Sequence, residues 1–350
     1  MKFIKQLQIN NYKSINKIAL DCARINVFIG EPNSGKSNIL EALDLSYLSW
    51  LMHSNQMDKK AGYDEVSIKD LFRVDKAEGL FHLGNLSTPI TIFNDGHLSA
   101  ALKFESEKNK NIFEWSNSGS NVLAFDSDFN YIASESTGLG YGSPIQPYRF
   151  KSDIQFHDSG NYLNKLMPVH GNNIANVIMH NPSFQETIKD LTTDYGFDFK
   201  VDKSKNEIEI LLRLNEGLVY TIPYKAIADT FKRFLFYIAA IRYSNTSVIT
   251  LDEPDAHSFP KYVSFLGDEI IEATGKQFFI ATHSPYLLSN LIENTPKNDL
   301  AVFVSSYDKK KSETVVKKLS EDDLSELIDY GIDIFFNINK YIDGRIKYNS

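Results

Sequence analysis

The chain has a single cysteine, Cys22, in 350 residues. No internal disulfide can form, and a reducing cytoplasm suits such a composition. No apolar run approaches the ~20 residues of a membrane span. No signal peptide is read before the first strand pattern, which begins at once after Met1-Lys2-Phe3, so secretion and membrane insertion are not expected. A basic excess is missing as well. The 37 Lys and Arg face 45 Asp and Glu, and the resulting net charge of −8 argues against a broadly basic nucleic-acid surface. The run Lys309-Lys310-Lys311, just after Asp308, is a local basic patch that reads first as a solvated hairpin turn. Repeats and low-complexity tracts are absent. Residues 53–220 carry no heptad run, which excludes a long coiled coil. A chain of this length buries about three quarters of its unfolded surface, enough for one large or two modest domains.

Against these absences stands one motif. Gly30-Glu-Pro-Asn-Ser-Gly-Lys-Ser37 fits G-x-x-x-x-G-K-[ST] at every fixed position, between an apolar strand at residues 25–29 and a helical run from Lys36. Glycines at both ends let backbone N–H groups turn inward around a polyphosphate. Lys36 is then placed to reach the β- and γ-phosphates and Ser37 to ligate Mg²⁺, with the helix N-terminus adding its positive dipole end. Asn33 occupies a loop position where glycine is common, and Asn tolerates φ > 0.

A second apolar strand, in Ser247-Val-Ile-Thr-Leu-Asp-Glu-Pro254, ends in two adjacent acids. Asp252 at its carboxyl end is placed to hold Mg²⁺ beside the phosphate loop. Glu253 is placed to polarise the attacking water as general base. Gln277-Phe-Phe-Ile-Ala-Thr-His-Ser284 repeats the strand-then-polar pattern and ends in His283. That histidine is either a γ-phosphate or water ligand or an ordinary histidine at a strand end.

Three short strands are expected over residues 2–29 and a helix over 36–52. Residues 86–133 read as an antiparallel β arm divided by Asn-Asp-Gly and Asn-Ser-Gly turns, with 116–120 and 138–142 loop-like. Residues 160–197 read as mainly helical, broken at Pro168 and Pro182. A hairpin is expected from 207–214 and 218–222 around 215–217, then a helix over 226–243. After His283 come a helix, a strand at 300–304, a hairpin through 314–319 and a helix over 321–330.

More than two hundred residues separate Lys36 from Asp252, too many for compact P-loop domains and suited to an ATPase head interrupted by insertions. Here the chain resembles the ABC-type ATPase heads of the RecF, structural-maintenance-of-chromosomes and OLD group. The likeness lies in Ile9-Asn-Asn-Tyr-Lys-Ser14, Gly35-Lys-Ser-Asn-Ile-Leu-Glu-Ala42, Gly171-Asn-Asn-Ile-Ala175, Leu251-Asp-Glu-Pro-Asp-Ala-His257 and Ala281-Thr-His-Ser-Pro-Tyr-Leu-Leu288, in the family's order. D-E-P-x-x-H followed by T-H-S-P looks most like the OLD-type heads.

The resemblance implies an α/β P-loop NTPase with a mixed β-sheet core, an antiparallel β arm and a helical lobe. It implies one head over residues 1–350, with the P-loop part at 1–54, the arm at 55–159, the helical and signature region at 160–245 and the Walker B, switch and C-terminal part at 246–350. It implies that ATP is bound by Lys13, Gly30, Asn33, Ser34, Gly35, Lys36, Ser37 and Asn38. Mg²⁺ falls to Ser37 and Asp252, with Glu253 as catalytic glutamate and His283 as switch histidine. Lys13 matches a basic residue that approaches the nucleotide, and reads equally as a solvated lysine. Asp255 and His257 would lie in a loop facing a partner head.

One departure bears on turnover. Such heads present a glycine-containing signature before the Walker B strand, whereas Tyr224-Lys-Ala-Ile-Ala-Asp-Thr-Phe-Lys-Arg233 has no glycine. Ala228, Asp229 and Thr230 stand where glycine would admit the γ-phosphate of a second head's ATP, and a β-branched and an anionic residue oppose that approach. Arg233 is either a cationic replacement or an ordinary helix-surface arginine. The 67 residues after His283 (350 − 283) are too few for the Toprim nuclease of complete OLD proteins. The resemblance therefore suggests an oligomeric, nucleotide-switched scaffold for a separately encoded nuclease or toxin, as in anti-phage defence. The alternative is a RecF-like ATPase clamping duplex DNA.

Overall fold

The computed structural model describes residues 3–61, 66–107, 110–117, 122–134, 145–156, 164–193, 196–202, 207–214, 218–329, 335 and 338–343. The expected loops at 118–120 and 138–142, the turn at 215–217 and position 330 lie outside them. In chain order the first strands are β1 (Gln6–Tyr12), β2 (Ile15–Asp21) and β3 (Ile25–Gly30), followed by α1 (Lys36–Asp44), α2 (Leu48–Ala61) and α3 (Ile68–Leu71). Then come β4 (Ile90–Asn94), β5 (His97–Glu107), β6 (Lys110–Ser116), β7 (Val122–Phe125), β8 (Tyr131–Ser134) and β9 (Ile145–Tyr148). The middle of the chain forms α4 (Ile174–His180), α5 (Pro182–Thr193), β10 (Phe197–Asp202), β11 (Glu207–Arg213), β12 (Val219–Pro223) and α6 (Asp229–Tyr243). The last part forms β13 (Val248–Asp252), α7 (Pro260–Glu272), β14 (Gln277–Ala281), α8 (Pro285–Asn294), β15 (Leu300–Asp308), β16 (Glu313–Lys318), α9 (Glu321–Asp329) and α10 (Ile338–Asp343).

These elements group into two compact units. One draws on residues 1–147, 246–253 and 274–350, the other on residues 148–245 and 254–273.

The first unit holds two sheets. In one, the strands run β16-β15-β3-β14-β13-β9, with β15, β3, β14 and β13 mutually parallel and β16 antiparallel to β15. The central strands are continuous apolar runs because both faces are covered: every residue of β3 and β14 is buried. Phe28 of β3 stacks on Phe303 of β15 at 5.1 Å and on Phe279 of β14 at 6.5 Å. The register sets Asp252 opposite Ala281, Ala281 opposite Phe28 and Ser305 opposite Gly30, so the carboxyl ends of four strands finish along one edge. Ligands of open α/β sheets bind at that edge.

The other sheet is antiparallel, in the order β2-β1-β4-β5-β6-β7-β8. The expected arm is thus continuous with the opening hairpin. Its alternation is clean in β1, where Leu7 and Ile9 are buried and Gln6 and Gln8 exposed.

In the second unit, β10-β11-β12 form an antiparallel sheet whose core meets α5 and α6, with Phe197 edge-on to Phe231 at 5.8 Å. Helices α6 and α7 pack through Phe234 against Tyr262 and Phe265, each at 5.2 Å, and Arg242 Nε donates to Glu269 Oε2 at 2.7 Å.

Three sequence expectations are corrected. The helix after the phosphate loop is interrupted by a 3₁₀ turn at Leu45–Tyr47 and resumes to Ala61. The helical stretch expected to reach 197 ends at Thr193, and Phe197 instead opens a strand, because Phe197-Asp-Phe-Lys-Val-Asp202 alternates with period two and pairs along β11. Helix α6 starts at Asp229 rather than Ala226, since Ile227 and Ala228 are extended after a 3₁₀ turn at Tyr224–Ala226.

Candidate functional site

The phosphate loop is shaped by close approach. A Cβ on Gly30 would stand 2.4 Å from the Ser305 carbonyl, and one on Gly35, at φ +93°, would stand 2.1 Å from Thr314 Oγ1. Only glycine fits either position. Below the loop, Asn38 Nδ2 donates to Ser14 Oγ at 2.7 Å, and Ser14 Oγ pairs with Thr314 Oγ1 at 2.6 Å, which ties α1 to the opening hairpin and to β16. Helix α1 packs on β3, β13 and β14 through buried Ile39, Leu40, Ala42 and Leu43, and the buried Asp44 accepts a hydrogen bond from Thr250 Oγ1 of β13 at 2.6 Å.

These elements surround a cavity of about 760 Å³ within the first unit. Its lining includes Lys13, Asn33, Ser34, Gly35, Lys36, Ser37, Asn38, Glu253 and His283, which the sequence singled out, and Arg73, Val74 and Gly79, which it did not. Ser37 Oγ donates to Asp252 Oδ1 at 3.0 Å, joining the end of the loop to the end of β13. Gly30 closes the loop behind the cavity, where its carbonyl accepts from Lys36 Nζ at 2.9 Å; the Glu31 carbonyl accepts from the same ammonium at 3.0 Å. Glu253 Oε1 lies 3.7 Å from His283 Nε2, and the Glu253 N–H donates to the Ala281 carbonyl at 2.8 Å. Four cavity residues that are not glycine, Lys13, Asn33, Arg73 and Glu253, have φ between +47° and +62°. Left-handed backbone of this kind concentrates at functional sites, where the surrounding structure holds it.

Lys13 is committed elsewhere. Its ammonium contacts the buried Glu41 carboxylate and the Phe72 carbonyl, while its own N–H donates to the Leu80 carbonyl at 2.9 Å. Glu41 is 1% exposed and also holds Arg73, whose Nε donates to Glu41 Oε1 at 2.6 Å. The Arg73 guanidinium in turn reaches Asp252 Oδ2 at 3.5 Å. Arg73 lies in none of the motifs quoted above, and Glu41, although inside Gly35–Ala42, is not singled out there as a member of this cluster.

Electrostatics set the protonation states. Burial pushes the Lys36 ammonium down to about 8, against the pull of Glu253 and Asp252. Burial and the Lys36 charge hold His283 below its ordinary value, so it is neutral at pH 7 and offers one donor and one acceptor.

The residues present fit a Mg²⁺-bound triphosphate. The Ser34 hydroxyl is buried with no hydrogen-bond partner, α1 opens on Gly35 without a side-chain cap, and Lys36 and Arg73 bring cations to the cavity lining. Among the described residues no group of three or more His, Cys, Asp or Glu could hold a metal alone. A Mg²⁺ that takes one or two protein oxygens and fills its shell from phosphates and water suits Ser37 and Asp252.

Ala228, Asp229 and Thr230 belong to the second unit, as do Arg233, Asp255 and His257. Ala228 caps α6 through its backbone alone. Asp229 accepts from Ser152 Oγ and from Lys232 Nζ, the latter at 3.3 Å, and Thr230 Oγ1 donates to the His257 carbonyl at 2.9 Å. Arg233 stacks on Phe150 at 4.5 Å.

The glycine-flanked loop, the acids ending the next-but-one strand and the mixed parallel sheet define the class: a P-loop ATPase of ABC type. The chain belongs to the family described as "AAA domain, putative AbiEii toxin, Type IV TA system", whose model matches residues 87–289, more than half of the chain. It is similar to an "ATP/GTP phosphatase" of Helicobacter pylori (strain ATCC 700392 / 26695), 21% identical over 341 residues that cover 85% of this chain and 90% of that one. It is also similar to the "DNA replication and repair protein RecF" of Colwellia psychrerythraea (strain 34H / ATCC BAA-681), 24% identical over 229 residues, 63% of this chain and about half (53%) of that protein. Among solved structures, an Smc head bound to the C-winged helix domain of ScpA aligns with a TM-score of 0.49 at 14% identity, over 92% of this chain and 99% of that one. The SMC head domain of Thermotoga maritima aligns at 0.42 and 12%, over 90% and 98%.

The depressed Lys36 ammonium carries a pH prediction. A bound triphosphate raises its pKa again, so above about pH 8 the complex keeps a proton that the free chain has lost. ATP affinity is expected to fall by up to about tenfold per pH unit above 8, with proton uptake on binding. Calorimetric titration at pH 8.5 in buffers of different ionisation enthalpy measures that uptake; an enthalpy independent of buffer contradicts it.

Proposed function

We propose that the chain is a nucleotide-switched head that binds Mg-ATP at Gly30–Ser37 and Asp252, hydrolyses it slowly through Glu253 and His283, and assembles with further copies of itself to hold or release a separate effector protein. The observation that supports this most is the convergence of Lys36, Ser37, Glu253 and His283 from three strand ends on one cavity, with Asp252 bonded to Ser37. In this reading Ser37 and Asp252 orient the cation, Lys36 neutralises the phosphates, and Glu253 orients the attacking water with neutral His283 alongside. Gly30, Gly35, Asn33, Ser34 and Asn38 shape the loop, and Lys13 acts through Glu41 rather than on the nucleotide. An effector such as a toxin or nuclease, and a role in anti-phage defence, accord with the toxin–antitoxin wording of the family description. The net charge of −8 favours this reading over the DNA clamp suggested by the similarity to RecF.

Slow turnover follows from the second unit. Asp229 and Thr230 open α6 with side chains committed to Ser152, Lys232 and the His257 carbonyl, so no glycine there offers open backbone to an incoming phosphate. One preorganised donor fewer typically costs ~100-fold in rate, which puts basal turnover at roughly 0.1 per second against a common ~10. Steady-state phosphate release tests it; tens per second, unchanged by Asp229→Ala or Thr230→Gly, would show that this segment does not limit the reaction. Assembly is tested by light scattering with and without Mg-ATP. A larger particle with nucleotide is expected, and strongly salt-dependent binding of duplex DNA would favour the clamp.

A further inference from the structure

Both oxygens of Asp252 are engaged. Oδ1 accepts from Ser37 Oγ at 3.0 Å, and Oδ2 faces Arg73 Nη2 at 3.5 Å. The arginine is half exposed to the cavity at 52% and is anchored from behind by Glu41, which is 1% exposed and sits on α1 four residues beyond Ser37. A guanidinium beside a carboxylate that is otherwise placed to take a divalent cation supplies the same charge neutralisation the cation would. The guanidinium is already hydrogen-bonded to the second carboxylate, Glu41, so it keeps a partner when it leaves Asp252.

We propose that Arg73 is a resident cation that occupies the metal side of Asp252 until a nucleotide-borne divalent cation displaces it, and that Glu41 is the positioning residue that receives it. The inference rests on the reading of Asp252 as metal ligand. Glu41 is buried, and Arg73 has φ +47°, two residues past the end of the short α3. The segment behind it is pinned to the opening hairpin by Lys13, whose ammonium contacts both Glu41 and the Phe72 carbonyl, and by His82 Nδ1 paired with the Lys13 carbonyl at 2.7 Å. Glu41 therefore balances two cations when Arg73 is drawn back. A guanidinium shared between two carboxylates can shift toward either one without leaving a buried charge unpaired.

The consequence is a competition with opposite signs for two substitutions. Removing the resident cation by Arg73→Ala exposes Asp252, so less Mg²⁺ is needed. Neutralising the receiving carboxylate by Glu41→Gln leaves Asp252 as the sole acid for the guanidinium, so more Mg²⁺ is needed. The measurement is a Mg²⁺ titration of fluorescent N-methylanthraniloyl-ATP binding to the full chain, at fixed nucleotide and protein. The Mg²⁺ midpoint is expected to fall about five- to tenfold in Arg73→Ala and to rise at least about threefold in Glu41→Gln, where tenfold corresponds to about 1.4 kcal/mol. Arg73→Lys, which keeps the charge but not the fork, is expected to lie between wild type and Arg73→Ala. A merely structural role would move both midpoints in one direction or neither. Should Glu41→Gln fail to fold, the two Arg73 variants decide alone. Midpoints within twofold of wild type in both, while Lys36→Ala abolishes nucleotide binding, overturn the competition. Normal binding by Lys36→Ala would instead overturn the reading of the cavity itself.

Discussion

Lys36→Ala is expected to weaken ATP binding by a hundredfold or more while the chain still unfolds cooperatively. The ammonium is 5% exposed and is parked on the Gly30 and Glu31 carbonyls of its own loop. When phosphates arrive it exchanges two neutral acceptors for anionic ones, and a hydrogen bond to a charged group contributes ~1.5–3 kcal/mol. Removing two such hydrogen bonds at once, about 3–6 kcal/mol, lowers affinity by roughly a hundredfold to ten-thousandfold. The fold should survive because the loop's shape depends on other interactions: Gly30 against Ser305, Gly35 against Thr314, and the Asn38–Ser14–Thr314 network. Glu31 is exposed, so water can replace the ammonium at its carbonyl, whereas the buried Gly30 carbonyl gives up a partner, a cost in stability that the melt measures. Equilibrium titration with labelled ATP, alongside a thermal melt, is the check. Undiminished affinity in a folded variant would remove residues 30–37 from the site.

How much of the site is legible in the sequence follows from how far each signal reaches along the chain. The phosphate loop is a local pattern: glycines at two fixed places, an apolar strand before and a helix after. Asp252 and Glu253 announce themselves the same way, because a strand buried on both faces shows up as Val-Ile-Thr-Leu and must end in polar residues at the sheet edge. Their meeting needs only the rule that parallel strands end together. Arg73 and Glu41 have no such rule. They lie 32 positions apart, Arg73 falls in an irregular stretch after a four-residue helix, and their encounter depends on how the segment of residues 72–84 folds over α1. Lys13 stands out for its place after the opening strand, yet what it touches is set by the same segment. The strand at Phe197–Asp202 is a different case. Its alternation is there to be read, but the run is short and its first residue, Phe197, falls at the end of the stretch that reads as mainly helical.

Glu253→Gln separates binding from chemistry. Glu253 is held at φ +47° by its N–H bond to the Ala281 carbonyl, and its side chain is half exposed to the cavity beside His283. Burial and Lys36 hold that histidine below its ordinary value, so in the proposed reading it orients a water without competing for the proton that Glu253 would take. The amide keeps the size of the carboxylate and one acceptor but cannot accept that proton, and a lost general base typically costs ~10²–10⁴-fold. Binding moves the other way. Removing a negative charge near the phosphates eases their approach, although it also removes part of the pull that keeps Lys36 protonated, so ATP affinity is expected to stay within about threefold of wild type. Because basal turnover is already expected to be slow, the decisive assay is a single turnover with protein in excess over labelled ATP, followed for hours. A fall of at least about a hundredfold with retained binding, and an ATP-dependent particle that outlasts the wild-type one in light scattering, would place the proton acceptor at Glu253. Turnover within threefold of wild type would move that role elsewhere, and His283→Ala would then be the next variant to measure, since its imidazole lies 3.7 Å from the Glu253 carboxylate in the same cavity.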